Sequence, residues 1–146
     1  MLLGVMLGGM VPLVKISERL RGDFMIDYCH VSRYGGRTTG GELQWLRMPR
    51  ADLGKMTVVV VDDIFDEGCT LDGIRRHCLA AGARRVLTAV LVRKRHTRAI
   101  TAHGPDFVGL EIGDEYVFGC GMDYGERWRH LDAIYAVSDP GGMKGR

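Results

Sequence analysis

A chain of 146 residues suits one domain and is too short for two of ordinary size; on folding, such a chain buries roughly 68–70% of its unfolded surface. Its 46% hydrophobic and 26% charged residues describe a soluble globular protein, not a disordered or fibrous one. A formal net charge of +2 is too small to argue for nucleic acid.

The chain opens on "MLLGVMLGGMVPLV". This stretch lacks the basic n-region and cleavage site of a signal peptide and falls short of the ~18 apolar residues of a membrane span. It reads instead as a buried strand over 1–7, a turn at Gly8-Gly9 and a helix entered at Pro12. Leu13, Ile16 and Leu20 recur at helical spacing, and Gly22 closes the helix. A strand follows over 24–31. The stretch "SRYGGRTTGG" has four glycines in ten residues and predicts a mobile loop, with a short strand returning over 42–48. After a connector, Thr57 to Val61 is a continuous β-branched run, expected of a central strand buried on both faces. A helix over 71–81 presents Leu71, Ile74 and Cys78 inward, and Gly82 caps it. The strand "RRVLTAVLV" (84–92), a basic run "RKRHTR" and a short strand over 107–112 come next. An aromatic, glycine-rich segment occupies 113–137, and a frayed tail 138–146.

Strands alternating with helices imply βαβ units: an α/β fold with a doubly wound, mostly parallel sheet. Four cysteines (Cys29, Cys69, Cys78, Cys120) form no Cys-x-x-Cys pair, and no His-Glu-x-x-His occurs. Free thiols, no structural zinc and a reducing, cytoplasmic setting are expected. Cys69 lies where a helix N-terminus can lower a thiol pKa, although an incidental loop thiol is the plainer reading.

"VVVVDDIFDEGCT" (58–70) carries the chemistry. A Walker-B reading needs a Gly-x4-Gly-Lys-Ser/Thr loop, and there is none. A magnesium-binding receiver domain leaves "DEGCT" without a purpose. A third reading uses every residue. The amides of Glu67, Gly68, Cys69 and Thr70, the Thr70 hydroxyl at the N-cap and the helix dipole hold a phosphate. The carboxylates face a sugar, accept from its hydroxyls, and stabilise positive charge at its anomeric carbon.

This stretch resembles the phosphoribosyl pyrophosphate motif of type I phosphoribosyltransferases. Together with "SRYGG", "LVRK" and "PDFVGLEIGDEYVFGCGMDYGERWRHL", the chain from about Val5 to Val137 resembles the hypoxanthine-guanine branch. The resemblance implies transfer of phosphoribose from magnesium-bound phosphoribosyl pyrophosphate to N9 of a 6-oxopurine. It implies that Asp62 and Asp63 bind the ribose hydroxyls directly or through Mg²⁺, and that Asp66 is the general base near the purine N7. Glu67, Gly68, Cys69 and Thr70 hold the phosphate. Lys94 meets the purine O6, with Arg93 and Arg95 leaving the register open by one residue. Tyr116 stacks on the base opposite Ile64, Val117 offers its backbone to the purine edge, and Asp123 is the second magnesium ligand. Arg129 clamps pyrophosphate, as do the backbones of Leu7 and Gly8, and a lid over 33–41 brings Arg33 and Tyr34.

Two departures stand out. Leu7 occupies a place where the family often has a lysine. The chain also begins at the core strand, without the segment that helps build the small hood over the base, so an incomplete hood is expected. A homodimer or homotetramer, no nucleic acid and no membrane are expected. A xanthine-preferring transferase and a nucleotide-sensing, RNA-binding regulator on the same fold remain alternatives.

Overall fold

The structure is a computed structural model that describes residues 1–33, 43–97, 101 and 103–137. Its centre is a six-stranded sheet. The strands are β1 (Leu2–Met6), β2 (Ile26–Arg33), β3 (Leu43–Arg47), β4 (Thr57–Phe65), β5 (Arg85–Lys94) and β6 (Phe107–Ile112), in the spatial order β3-β2-β1-β4-β5-β6. All neighbours run parallel except β3, which lies antiparallel on the edge beside β2. The sequence direction along the sheet reverses between β1 and β4. That is the switch point of an open α/β sheet, where a crevice opens beyond the strands' carboxyl ends. The carboxyl ends here are Gly8-Gly9 after β1 and the aspartates of β4.

Helix α1 (Met10–Ser17) covers one face, with Leu13 packed on Leu2, Val61 and Ala89. Helix α2 (Cys69–Ala80) covers the other, and its Leu71, Ile74 and Cys78 join Leu3, Val58, Val60 and Val90. Each such aliphatic side chain contributes roughly 1.5–3 kcal/mol by leaving water. Successive side chains of a strand alternate faces. Val58 and Val60 therefore point to the α2 side and Val59 and Val61 to the α1 side, a phase that decides the aspartates after them.

Several boundaries differ from the sequence reading. Helix α1 stops at Ser17, although the amide of Leu20 still reaches the Ile16 carbonyl; Leu20 is exposed and gives a longer helix nothing to bury against. Strand β4 continues through both aspartates to Phe65, and β5 continues to Lys94, because the two keep pairing with each other as far as Phe65 and Arg93. Between β5 and β6 no helix occurs among the described residues. Beyond β6, β7 (Val117–Phe118) and β8 (Tyr135–Ala136) form a small antiparallel sheet. It is joined to the end of β5 by a cluster of Val92, Val117 and Met122 with Ile64, Ile112 and Ile134. The anticipated frayed tail (138–146) lies outside the described residues. Among the described residues no helix is long and apolar enough to cross a membrane.

Candidate active site

The turn after β4 is set by one glycine. Gly68 has φ 87° and caps α2, whose first intrahelical bond runs from the Asp72 amide to the Gly68 carbonyl at 3.0 Å. A Cβ at Gly68 would lie 2.3 Å from Thr101 Oγ1 and 2.7 Å from Phe65 Cζ, so conformation and space both demand glycine. The helix therefore begins at Cys69, and Thr70, expected at the N-cap, lies inside its first turn. The leading amides of a helix lack intrahelical acceptors and carry the positive end of its dipole. Before them lies a cavity of about 260 Å³ lined by Asp62, Asp63, Ile64, Asp66, Gly68 and Thr70, with Phe65 and Leu71. Glu67 and Cys69 belong to the same turn without lining that cavity.

The two adjacent aspartates diverge, as alternation along β4 requires. Asp62 follows Val60 toward the α2 side, is buried, and accepts from the Asp63 amide at 2.9 Å. Asp63 follows Val61 and packs over the turn after β1: a Cβ at Gly8 would sit 1.9 Å from Asp63 Oδ2. Burial pushes the Asp63 carboxyl above its ordinary value; a hydrogen bond from the Ile64 amide and the Arg129 charge oppose that shift. Arg129 ties this corner together. It donates to the Gly121 carbonyl at 2.7 Å, meets Asp123 Oδ1 at 2.7 Å and lies 4.0 Å from Asp63 Oδ2. Asp123 and Arg129, some sixty residues on in sequence, thus converge with Asp63 beside Gly8. Among the described residues no three acidic, histidine or cysteine side chains stand close enough to cage a metal by themselves.

A second cavity, of about 170 Å³, adjoins the first through Asp63, Ile64 and Asp66. Its remaining lining is Lys94, Tyr116, Val117, Met122 and Asp123. Ile64, Lys94, Tyr116, Val117 and Asp123, the residues expected around a purine and its magnesium, therefore line one cavity, although they come from four separate stretches of chain. Tyr116 is held by a hydrogen bond from its hydroxyl to the Asp123 carbonyl at 3.0 Å and by the edge-on ring of Tyr124 at 5.3 Å. The basic run sorts by strand alternation. Arg93 and Arg95 both pair with Glu111 of β6, whereas Lys94 Nζ lies 3.9 Å from Asp66 Oδ2 and its side chain is largely buried. His96, two residues on, bonds through Nε2 to Asp66 Oδ1. Reading the sequence missed His96. No spacing in the chain signalled it, because β5 ends at Lys94 and His96 lies in the bend beyond.

Leu7 is exposed beside this crevice, and the Met6–Leu7 peptide is cis. Tyr34 and most of the expected lid lie outside the described residues, as does the side chain of Arg33, whose backbone ends β2.

Comparisons with known proteins bear on the family and the fold. A family model described as a phosphoribosyl transferase domain matches residues 1–126. The hypoxanthine-guanine phosphoribosyltransferase of Aquifex aeolicus (strain VF5) is 29% identical over 137 residues, 93% of this chain and 76% of that protein. The hypoxanthine-guanine phosphoribosyltransferase of Staphylococcus epidermidis (strain ATCC 35984) is 30% identical over 132 residues, 90% and 73% of the two chains. Among solved structures, a hypoxanthine-guanine phosphoribosyltransferase from Bacillus anthracis superposes with a TM-score of 0.88 at 28% identity, covering 93% of this chain and 80% of that one.

Proposed function

Because the chain belongs to the phosphoribosyltransferase family, we propose that it serves purine salvage. In this reading it moves the 5-phosphoribosyl group of phosphoribosyl pyrophosphate to N9 of hypoxanthine or guanine, giving IMP or GMP and pyrophosphate. One observation carries the reading. Two adjoining cavities share Asp63, Ile64 and Asp66; one lies before a helix N-terminus, and the other is walled by Lys94, Tyr116 and Val117. An anion fits the first, a flat oxo-bearing base fits the second, and a sugar spans the acids between them.

The 5-phosphate sits against the amides of Gly68, Cys69 and Thr70, with Glu67 completing the turn. Asp62 and Asp63 accept from the ribose hydroxyls, and their charge favours the cationic anomeric carbon as the pyrophosphate leaves. Asp66 accepts the purine N7 proton while N9 attacks, within reach of a base seated on Tyr116 opposite Ile64. Lys94 donates to O6, which an amino group at that position would not accept, so adenine is disfavoured. Val117 offers backbone groups to the purine edge. Arg129 and the backbones of Leu7 and Gly8 face the pyrophosphate.

Asp62, Asp63 and Asp123 are the carboxylates that would hold magnesium. Mg²⁺ takes one or two protein carboxylates and completes its shell with water and phosphate oxygens, a requirement that a pair of these aspartates meets. When bound, the ion supplies positive charge to the departing pyrophosphate. The RNA-binding alternative is disfavoured because Arg93 and Arg95 are engaged by Glu111 and Lys94 faces Asp66. The protein is proposed to act in the cytoplasm as a homodimer or homotetramer, which light scattering would measure.

The test is an absorbance assay with hypoxanthine, guanine, xanthine and adenine, each with phosphoribosyl pyrophosphate and magnesium. Turnover of hypoxanthine or guanine, none of adenine, and a loss of roughly 10²–10⁴-fold in Asp66→Asn are expected. Wild-type turnover in Asp66→Asn would remove the base assignment, and preferred turnover of xanthine would move the protein to the xanthine-using branch.

A further inference from the structure

We infer that His96 is a positioning residue that aims Asp66 at the base. The inference rests on the reading of Asp66 as the proton acceptor and deepens it. Asp66 follows the end of β4, and its side chain is 37% exposed, so nothing in the strand alone fixes the direction of its carboxylate. Two side chains from the neighbouring strand's end supply that direction. Lys94 Nζ lies 3.9 Å from Oδ2, near enough for attraction and too far for a hydrogen bond. His96 Nε2 hydrogen-bonds the other oxygen, Oδ1. An ionised carboxylate only accepts, so Nε2 carries the proton in that bond.

The two partners stand in different places. Lys94 and Asp66 line the base cavity, whereas His96 lines neither that cavity nor the phosphate cavity, and its side chain is only 6% exposed. The buried imidazole thus holds Oδ1 from outside the base cavity, while Lys94, beside Oδ2, lines that cavity. Lys94 ends β5 and His96 lies in the bend just beyond it; both turn toward Asp66, while Arg93 and Arg95 turn to Glu111. The consequence is kinetic. A general base must sit within hydrogen-bond reach of the proton it takes, and a misplacement of about 1 Å can cost ~10²-fold. His96 touches no substrate in this scheme and acts only through Asp66.

The experiment uses the full chain and four variants: His96→Phe, which fills the ring's space without a donor; His96→Gln, which returns a donor near Nε2; Asp66→Asn; and the double variant Asp66→Asn/His96→Phe. Expected is a fall in kcat of roughly 30–100-fold for H96F, with KM for phosphoribosyl pyrophosphate changed less than about twofold. H96Q should recover most of kcat. In the D66N background, adding H96F should cost less than about twofold, because the group His96 acts through no longer takes a proton. Three results would overturn the inference: wild-type kcat in H96F, no recovery in H96Q, or the same fold loss in both backgrounds. If H96F fails to fold, H96Q and the wild type still decide, since a kcat in H96Q as low as that of D66N also overturns it. Normal turnover in D66N would sink the underlying reading instead, a different outcome from a harmless H96F beside an inactive D66N.

Discussion

The two halves of the candidate site are built in opposite ways. The phosphate half is one uninterrupted run, Asp62 to Leu71, in which a strand ends, a glycine turns and a helix begins. The base half is assembled from four stretches, around Ile64, Lys94, Tyr116 and Asp123, brought together by the order of strands in the sheet. A local device can be broken by a single backbone change. An assembled wall loses its contributors one at a time, each with a smaller effect.

The largest expected effect follows. Gly68→Val places a Cβ in a left-handed turn and against Thr101 and Phe65. The conformation costs of order 1–3 kcal/mol, and the overpacking a similar amount. Activity should fall by roughly 10²–10³-fold or more, with phosphoribosyl pyrophosphate no longer shifting the melting temperature while the free base still binds. A variant with an intact response to phosphoribosyl pyrophosphate would show that the turn does not shape the cradle.

On the base side, Lys94→Met removes a charged donor from a cavity it helps to line. Hydrogen bonds to charged groups are worth ~1.5–3 kcal/mol, so kcat/KM for hypoxanthine should drop roughly 10–150-fold. KM for phosphoribosyl pyrophosphate should hold within about twofold, and discrimination against adenine should weaken. Equal loss toward both substrates would mean that Lys94 supports the fold, not the base. Tyr116→Ala should cost ~1–3 kcal/mol of base affinity by isothermal titration, again with the phosphate side untouched.

The same asymmetry decides what sequence reading delivers. The phosphate half was legible because all its determinants are neighbours: β-branched run, acids, glycine, helix start. Even there, one detail required the structure, since Gly68 and not Thr70 caps the helix. The base half was reached only through resemblance, because no spacing in the chain tells that residues 64, 94, 116 and 123 meet. Strand ends proved the least legible feature. β4 and β5 each run on past their apolar cores because they pair with each other, a property of two segments that neither displays alone. His96 was hidden for a related reason: it lies in the bend just past β5, and only the folded chain brings it to Asp66.

A smaller effect separates function from stability within the phosphate half. Thr70→Ala should raise KM for phosphoribosyl pyrophosphate by about 2–10-fold, the worth of a neutral hydrogen bond. An N-cap threonine would also cost ~1 kcal/mol of stability, but Gly68 occupies the cap, so the urea midpoint should stay put. A shifted midpoint with an unchanged KM would reverse the assignment.

The smallest effect concerns thiols, one in the phosphate turn and two in the core. Cys69 lies half-buried in the phosphate turn, whereas Cys29 and Cys78 are fully buried in the core on the α2 side of the sheet. Burial pushes the Cys29 thiol up to about 12 and the Cys78 thiol up to about 11, against an ordinary 9.0. Since the thiolate is the reactive form, neither should react with a disulfide reagent at pH 8 in the folded protein, while Cys69 should react and be shielded by phosphoribosyl pyrophosphate. Raised folded values also set a pH dependence. Above pH 9 the unfolded chain gives up these protons while the folded chain keeps them. Stability present below that pH is therefore lost as pH rises toward 11–12. Urea midpoints at pH 8 and pH 10.5 would measure the loss, and replacing Cys78 by Ala should reduce it, with Cys29 keeping the remainder. An unchanged slope would show that the pH sensitivity arises from other groups than the Cys78 thiol.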